Sequence, residues 1–316
     1  MKSAVICIIG PTASGKSELG LAVAAKFGGE IINCDSVQVF RGLFIGAGKI
    51  PPDHRQGIPH HLYDVVDPGE MISAGQYMQW GRQAIGEVLS RNRAPVVVGG
   101  TGLYLRALIG GLFDGPARDD ALRDRLRLVA ERKGVNYLRR WLERIDPDYA
   151  QAVGARDRLR LIRALEVYLM TGLPMTQQFR QRAVEPLDEL YQIEKVGLNL
   201  PRLELSHRID RRVQRMFDEG VLEETGNAVQ RGCPANGSGL DGIGYRQCVA
   251  VLEGRMTLEQ AVLETKLRTR QYAKRQMTWF RKEPDVAWFE TAGELPETQK
   301  SVLRHLQERL EGASGV

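Results

Sequence analysis

The sequence has 316 residues, of which 43% are hydrophobic and 26% are charged, and its formal net charge is +5. These values are ordinary for a soluble globular protein and allow one large domain, or a core with a smaller insertion. No apolar run approaches the roughly 20 residues that a membrane-spanning helix needs, so we expect no membrane partner.

The cysteines and the N-terminal residues predict a cytoplasmic protein. Residues 1–10 resemble a short signal peptide but lack a small-residue cleavage site and run directly into a phosphate-binding motif. The four cysteines (Cys7, Cys34, Cys233 and Cys248) show no CxxC spacing and no zinc pattern with the five histidines. We therefore expect these cysteines to be reduced thiols in a cytoplasmic protein. Because coiled-coil heptads are missing, we expect a monomer.

Strands and helices alternate in the first hundred residues. The pattern predicts buried strands at residues 3–9, 30–34 and 95–98, and helices at residues 17–27 and 75–92. Each strand ends in a polar or glycine-rich turn, which is typical of a doubly wound α/β core. Ligands of such parallel sheets bind beyond the carboxyl ends of the strands. Gly10, Asp35 and Thr101 are therefore predicted to lie at one edge.

The composition changes after residue 115. Residues 119–182 are rich in Arg and Leu and have helical periodicity without a buried strand. They predict an all-helical insertion, residues 116–192, in an α/β core made of residues 1–115 and 193–316. The core is predicted to resume with a strand at 193–200, a long charged helix to about 231, helices at 247–252 and 258–280, and an edge strand at 286–290.

A P-loop motif joins the first strand to the first helix. Its residues are Gly10, Pro11, Thr12, Ala13, Ser14, Gly15, Lys16 and Ser17, which match G-x-x-x-x-G-K-[ST]. In this motif the backbone N–H groups and the helix N-terminus bind phosphate, the lysine adds a positive charge, and the Ser17 hydroxyl can hold Mg²⁺. The motif predicts phosphate binding without identifying the phosphate compound.

Two further strand ends carry chemical groups. Asp35 is predicted to face the P-loop, where its carboxylate serves as a general base or as a water-mediated magnesium ligand. The alternative for Asp35 is a simple turn cap. Thr101 follows Gly99 and Gly100 and offers a hydroxyl near the phosphate. A P-loop ATPase usually has an acidic residue after this strand to organise Mg²⁺. Here that residue is missing, which argues against ATP hydrolysis.

Basic residues are concentrated in two stretches, which indicates a polyanionic partner. Residues 266–282 contain seven basic residues and no acidic one, and residues 118–163 contain thirteen basic and eight acidic residues. A small-molecule or nucleotide kinase with an arginine-rich lid is an alternative, although a lid needs few arginines. A non-catalytic RNA-binding P-loop protein leaves Asp35 and Thr101 without a role.

Taken together, the motifs resemble those of the tRNA dimethylallyltransferases. The matching segments are residues 10–17, 35–42, 58–62, 99–104, 158–166, 242–245 and 266–281, in the order found in that family. The sequence departs from the family pattern at Phe40, where a tyrosine is usual, and slightly at residues 46–49. The resemblance implies transfer of the dimethylallyl group of dimethylallyl diphosphate to the exocyclic amine of the adenosine 3′ of the tRNA anticodon.

The resemblance also implies roles for individual residues. Asp35, Thr101 and Lys16 become catalytic, and the P-loop binds the diphosphate with Mg²⁺. The implied tRNA-binding residues are Asp35, Ser36, Val37, Gln38, Thr101, Arg123, Leu159, Arg160, Leu161, Ile162, Arg163, Gly242, Ile243, Gly244, Tyr245, Lys274 and Arg275. Without the resemblance, Arg123 is a solvated helix charge and Gln38 is equally well an ordinary exposed polar residue.

Two other features have plain alternatives. Residues 71–80 supply apolar bulk that suits either an isoprenoid pocket or core packing. His60 and His61 have no acidic partner at ligand spacing, so we assign no metal to them.

Overall fold

The computed structural model describes residues 3–112, 115–180 and 184–312, and within them the centre of the fold is a six-stranded sheet. The strands are β1 (Ala4–Ile9), β2 (Gly29–Asn33), β3 (His60–His61), β4 (Ala94–Gly99), β5 (Gln192–Leu198) and β6 (Val286–Phe289). Their order is β3-β2-β4-β1-β5-β6, and all neighbours are parallel. The predicted α/β fold class is confirmed.

Fourteen helices accompany these strands in the described residues. They are α1 (Lys16–Phe27), α2 (Ala74–Ser90), α3 (Gly102–Gly110), α4 (Asp120–Lys133), α5 (Val135–Ile145), α6 (Pro147–Ala152), α7 (Arg158–Thr171), α8 (Met175–Arg180), α9 (Leu187–Leu190), α10 (Arg202–Asp218), α11 (Val221–Gln230), α12 (Tyr245–Leu252), α13 (Leu258–Phe280) and α14 (Pro296–Gly312). In the part of the chain that is described, none of these helices has both the length and the apolar character to cross a bilayer.

The sheet is buried on both faces because the side chains of β1 alternate between two apolar clusters. Val5, Cys7 and Ile9 pack with residues of α2 and α3, whereas Ile6 and Ile8 pack with residues of α1 and α14. Burial of each large aliphatic side chain contributes roughly 1.5–3 kcal/mol. This two-sided packing explains why β1 reads as an unbroken apolar run.

The chain divides into two compact units, one of residues Met1–Ile109 with Leu187–Val316 and the other of residues Gly110–Pro186. The first unit contains the sheet, and the second contains α4 to α8. The predicted insertion, residues 116–192, is offset from the second unit by six residues at each end. Residues 181–183 of the predicted helical stretch lie outside the described residues.

The prediction of one long helix to residue 231 is wrong. α10 ends at Asp218 and α11 begins at Val221, because Gly220 adopts a positive φ of 98°. Glycine accepts this left-handed conformation without the steric cost that other residues incur, so it ends a helix readily. The short edge strand β3 and the helices α3 and α14 were not predicted.

A buried carboxylate connects α4 and α7 in the helical unit. Glu166 of α7 has a fully buried side chain and accepts hydrogen bonds from the guanidinium groups of Arg123 (2.9 Å) and Arg163 (2.6 Å). It also accepts the backbone N–H of Asp119 at 2.9 Å. Burial works to raise the pKa of Glu166, but these hydrogen bonds outweigh it and lower the pKa below its usual value.

We expect Glu166→Ala to destabilise the helical unit by about 3 kcal/mol, because two arginines would lose their buried partner. This is the low end of the range for a broken buried ion pair, since both arginines are partly exposed. Hydrogen exchange of α4 and α7 measures the effect. Glu131→Gln, at an exposed ion pair with Arg158, is the control and should change exchange little. Equal exchange in the two variants would contradict the prediction.

Candidate active site

Three loops meet at one edge of the sheet, where β1, β4 and β2 end. Ile9 pairs with Gly99 in the parallel register, so the P-loop and the turn after β4 leave the sheet side by side. The turn after β4 is tied to the turn after β2, because the Thr101 N–H donates to the Cys34 carbonyl at 3.1 Å. Gly99 is required there, since a Cβ would lie 2.1 Å from the Cys34 oxygen.

The P-loop has the conformation that its sequence predicts. Gly10 and Gly15 have positive φ values of 150° and 82°, and Gly15 precedes the first turn of α1. The Lys16 ammonium group donates to the Pro11 carbonyl at 2.6 Å, across the concave side of the loop. The loop is supported from behind by Arg208, whose Nε donates to the Ala13 carbonyl at 2.8 Å. The arrangement is a preformed anion site at a helix N-terminus.

Lys16 is electrostatically unusual. Burial lowers its pKa to about 8, the Asp35 carboxylate works to raise it, and Arg212 lowers it further. Asp35 therefore lies close enough to the P-loop for its charge to act on the lysine. The sequence predicted this juxtaposition from strand ends alone.

Asp35 has one oxygen engaged in its own turn and one available. Its Oδ1 accepts the backbone N–H groups of Val37 (2.8 Å) and Gln38 (3.4 Å). Oδ2 accepts no hydrogen bond from the residues that the structure describes. Oδ1 therefore caps the turn, as the turn-cap alternative has it, and Oδ2 is the oxygen that the general-base prediction requires. The hydrogen bonds to Oδ1 fix the side chain and leave Oδ2 without a partner among the described residues.

The Thr101 hydroxyl connects the site's loops. Its Oγ1 accepts the Ser36 N–H at 3.1 Å and lies 3.4 Å from the Ser36 hydroxyl. Tyr272 of α13 also lies near this edge, and its pKa is raised by burial and by the charge of Asp35. Thr101 therefore stands beside Asp35, at the same edge as the P-loop.

Arg212 is a site residue that the sequence did not reveal. It belongs to α10, and a Cβ on Gly48 would lie 2.0 Å from its guanidinium group. Burial lowers the pKa of Arg212, and the charge of Asp35 opposes that lowering. Its guanidinium group forms no ion pair within the described residues. It is a second cation near Lys16, free to bind an anion.

Gln276 is the second residue that sequence reasoning missed. Its buried amide accepts the Thr12 N–H at 2.9 Å and donates to the Gly100 carbonyl at 2.8 Å. One side chain of α13 thus joins the P-loop to the turn after β4. A Cβ on Gly100 would lie 2.2 Å from the Gln276 amide nitrogen, which explains the glycine there. In the sequence, Gln276 was one polar residue in a basic helix, without a distinguishing signal.

The comparisons with known proteins agree on one family. The model of the IPP transferase family matches residues 38–283. A tRNA dimethylallyltransferase of Koribacter versatilis is 46% identical over 91% of this chain and 92% of its own length. The chain belongs to the IPP transferase family.

Solved structures of the family have the same fold. The tRNA isopentenylpyrophosphate transferase of Bacillus halodurans is 35% identical, with a TM-score of 0.73 over 99% of this chain and 98% of its own. A eukaryotic dimethylallyltransferase, captured acting on tRNA, is 28% identical, with a TM-score of 0.79 over 99% of this chain and 80% of its own. The comparisons give no support to the kinase alternative.

The implied RNA-binding residues differ in accessibility. Lys274 and Arg275 are exposed on α13, and the Arg275 guanidinium group lies 5.8 Å from the centre of the Tyr272 ring. On α7, Leu159 is 75% exposed and Arg160 is exposed. Arg123 and Arg163 are partly exposed beside Glu166. These side chains remain candidates for RNA contact.

Three of the implied tRNA-binding residues have buried side chains. The side chains of Leu161 and Ile162 lie in the core of the helical unit, and Tyr245 is completely buried in the α/β unit. In this structure these side chains expose almost no surface to a partner. Gly244 is also buried, whereas Gly242 and Ile243 are partly exposed. The helical period of residues 159–163 alternates exposed and core positions, which a motif match does not distinguish.

Other predicted features are explained by packing. Tyr77, in the apolar stretch 71–80, is fully buried, stacks on Tyr104 at 4.1 Å and donates to the Asn33 carbonyl. Core packing therefore accounts for Tyr77. The His61 ring of β3 makes a hydrogen bond of 2.7 Å with the Glu30 carboxylate of β2.

We expect the affinity of the free enzyme for dimethylallyl diphosphate to fall as the pH rises through about 8, where Lys16 loses its proton. The diphosphate needs the charged ammonium group, so above this pH it must bind together with a proton. The Kd then rises by up to about tenfold per pH unit. Calorimetry without tRNA between pH 7 and 10 measures this change. Lys16→Arg is the control and should show a flat profile, because arginine stays protonated. A flat wild-type profile would contradict the prediction.

Proposed function

We propose that this protein transfers the dimethylallyl group of dimethylallyl diphosphate to the exocyclic amine of the adenosine 3′ of the anticodon in tRNA. The observation that carries the proposal is the position of Asp35, a carboxylate with one available oxygen beside a P-loop and two cations. Membership of the IPP transferase family agrees with it, because relatives are named tRNA dimethylallyltransferases.

The P-loop and its cations supply the first half of the chemistry. When the bond between the allylic carbon and the diphosphate oxygen breaks, the electron pair leaves with the diphosphate. The negative charge is stabilised by the Lys16 ammonium group, the Arg212 guanidinium group and the backbone N–H groups of the loop other than that of Thr12, which donates to Gln276. Thr101 adds a hydroxyl donor at the same edge. Gln276 keeps the P-loop and the Thr101 turn in register.

The acceptor side depends on Asp35. An aromatic amine is a weak nucleophile because its lone pair is delocalised into the ring. Oδ2 of Asp35 accepts the proton as the new bond forms between the amine nitrogen and the allylic carbon. The adenosine must leave the stack of the anticodon loop to reach this edge. Ser36 and Gln38, next to Asp35, then border the extruded base.

Mg²⁺ is part of the proposal. Ser17 is partly exposed in the first turn of α1, and its hydroxyl makes no hydrogen bond to the residues that the structure describes. It therefore fits as a magnesium ligand beside diphosphate oxygens and water, the usual set for this ion. When bound, the ion neutralises charge on the diphosphate.

The proposal includes a monomer that acts in the cytoplasm. Every group assigned to the reaction lies in the α/β unit, so one copy of the chain carries all of them. We place the activity in the cytoplasm with its tRNA substrate.

Incubation of the protein with labelled dimethylallyl diphosphate and unmodified tRNA tests the function, with product measured as label retained on RNA. We expect transfer with the wild type and a roughly 10²–10⁴-fold lower rate with Asp35→Asn, the range for loss of a general base. Asparagine retains an oxygen that caps the turn, so the fold is kept. Asp67→Asn, on an exposed side chain, is the control.

Two results would contradict this function. Transfer of phosphate from ATP to a small alcohol, with no prenyl transfer, would favour the kinase alternative. Full turnover by Asp35→Asn would show that another group accepts the proton.

We also expect the double variant Lys274→Gln with Arg275→Gln to bind tRNA more weakly and with a smaller salt dependence. Each lost phosphate contact reduces the slope of log K against log salt by roughly 0.7–0.9. Filter binding at several salt concentrations measures the slope. A matched pair, Lys300→Gln with Arg304→Gln on the exposed face of α14, should leave it unchanged. If both pairs gave the wild-type slope, the tRNA surface would have to lie elsewhere.

A further inference from the structure

Glu224 of α11 organises a loop by accepting its backbone N–H groups. Its Oε2 accepts the N–H groups of Phe44 and Ile45, each at 2.8 Å, and its Oε1 accepts that of Gly46 at 3.1 Å. The Tyr245 hydroxyl donates to the same Oε1 at 2.7 Å. The Glu224 carboxylate thus fixes the backbone of residues 44–46.

Tyr245 extends this network along the loop. Its hydroxyl accepts the Ala47 N–H at 2.9 Å while donating to Glu224. Its ring fills the space beside Gly46, where a Cβ would lie 2.4 Å from the ring. Burial of Tyr245 and the nearby charge of Glu224 raise its pKa, so the hydroxyl stays protonated. Four consecutive N–H groups, from Phe44 to Ala47, are therefore bound by two side chains.

The carbonyl groups of this loop fix the Gln38 side chain. The amide nitrogen of Gln38 donates to the Ala47 carbonyl at 3.2 Å and to the Gly48 carbonyl at 3.1 Å. Because a carbonyl oxygen only accepts, the nitrogen must face the loop and both of its hydrogens are used. The atom of Gln38 left to meet a ligand is Oε1, which is an acceptor.

The far end of the loop is also anchored. Lys49 has a buried side chain, and its ammonium group donates to the Phe40 carbonyl and to Asp64. Gly48 packs against the Arg212 guanidinium group. Residues 44–48 therefore contact both Gln38, which borders the base in the proposed function, and Arg212, which faces the diphosphate in it.

We propose that Glu224 is a positioning residue for base selection. It holds residues 44–48 in the conformation in which Gln38 presents only its amide oxygen to the base. The proposal rests on the proposed function, in which Gln38 borders the extruded adenine. The adenine amine has two hydrogens. Oδ2 of Asp35 accepts one, and Oε1 of Gln38 accepts the other. A 6-oxo purine places an oxygen opposite Oε1, so two acceptors face each other.

The experiment compares binding of anticodon stem-loop RNA carrying either adenosine or inosine at the target position, without dimethylallyl diphosphate. We expect the wild type to prefer adenosine by roughly tenfold or more, since a mispaired buried acceptor is costly. Glu224→Gln should lose most of this preference, and so should Gln38→Ala. A glutamine at 224 directs an NH₂ group at loop N–H groups, so it cannot hold them all. Its KM for the adenosine RNA should also rise more than its kcat falls.

The control is Glu223→Gln, one residue earlier on α11 and exposed, which should keep the wild-type preference. Thermal unfolding checks that each variant folds. If Glu224→Gln does not fold, Tyr245→Phe replaces it and should lose part of the preference, because Ala47 then loses its acceptor.

The outcomes separate the two proposals. If Gln38→Ala keeps the wild-type preference, the base contact in the proposed function is wrong. If Gln38→Ala loses the preference while Glu224→Gln keeps it, the positioning role of Glu224 is wrong. Equal losses of affinity for both RNAs in Glu224→Gln, with the ratio unchanged, would likewise overturn it by showing a structural role alone.

Discussion

The parallel pairing of β1 with β4 is the constraint on which the site depends. Because Ile9 lies opposite Gly99, the P-loop and the Thr101 turn begin at the same level of the sheet. The β2–β4 pairing, with Asn33 opposite Val98, brings Asp35 to that level as well. A shift of one residue in either pair would turn the strand's side chains to the opposite face and separate the groups. The buried amide of Gln276 then locks the spacing between the two loops.

Two carboxylates, Asp35 and Glu18, act on the cations at this edge, and Asp35 has the larger effect on each cation. Lys16 and Arg212 are both buried enough for their pKa values to be lowered, and the charge of Asp35 opposes that in each case. A diphosphate would supply the counter-charge that these cations lack. Asp35 is thereby left to interact with the acceptor. The same P-loop that holds a nucleotide in kinases thus suits a substrate whose diphosphate is the leaving group.

The sequence was sufficient for the features that local patterns encode. The apolar run of β1, the glycines of the P-loop and the turn at Asp35 each predicted the correct element, and strand ends predicted their meeting. Residues that act through long-range contacts were not predictable in this way. Arg212 and Gln276 are polar residues in charged helices, and only the folding of α10 and α13 against the P-loop gives them a role. Tyr245 shows a related limit of sequence patterns, because a motif match does not distinguish a surface tyrosine from one buried beneath a loop.

Helix α13 has two faces with different tolerance to change. Lys274 and Arg275 face solvent, whereas the adjacent Gln276 is buried and bonded to the P-loop and to the turn after β4. Adjacent positions therefore differ in tolerance: a substitution at 274 or 275 disturbs no buried contact, whereas one at 276 removes the hydrogen bonds that join the two loops. Substitutions that probe RNA affinity can therefore be made at 274 and 275, provided that the side chain at 276 is kept.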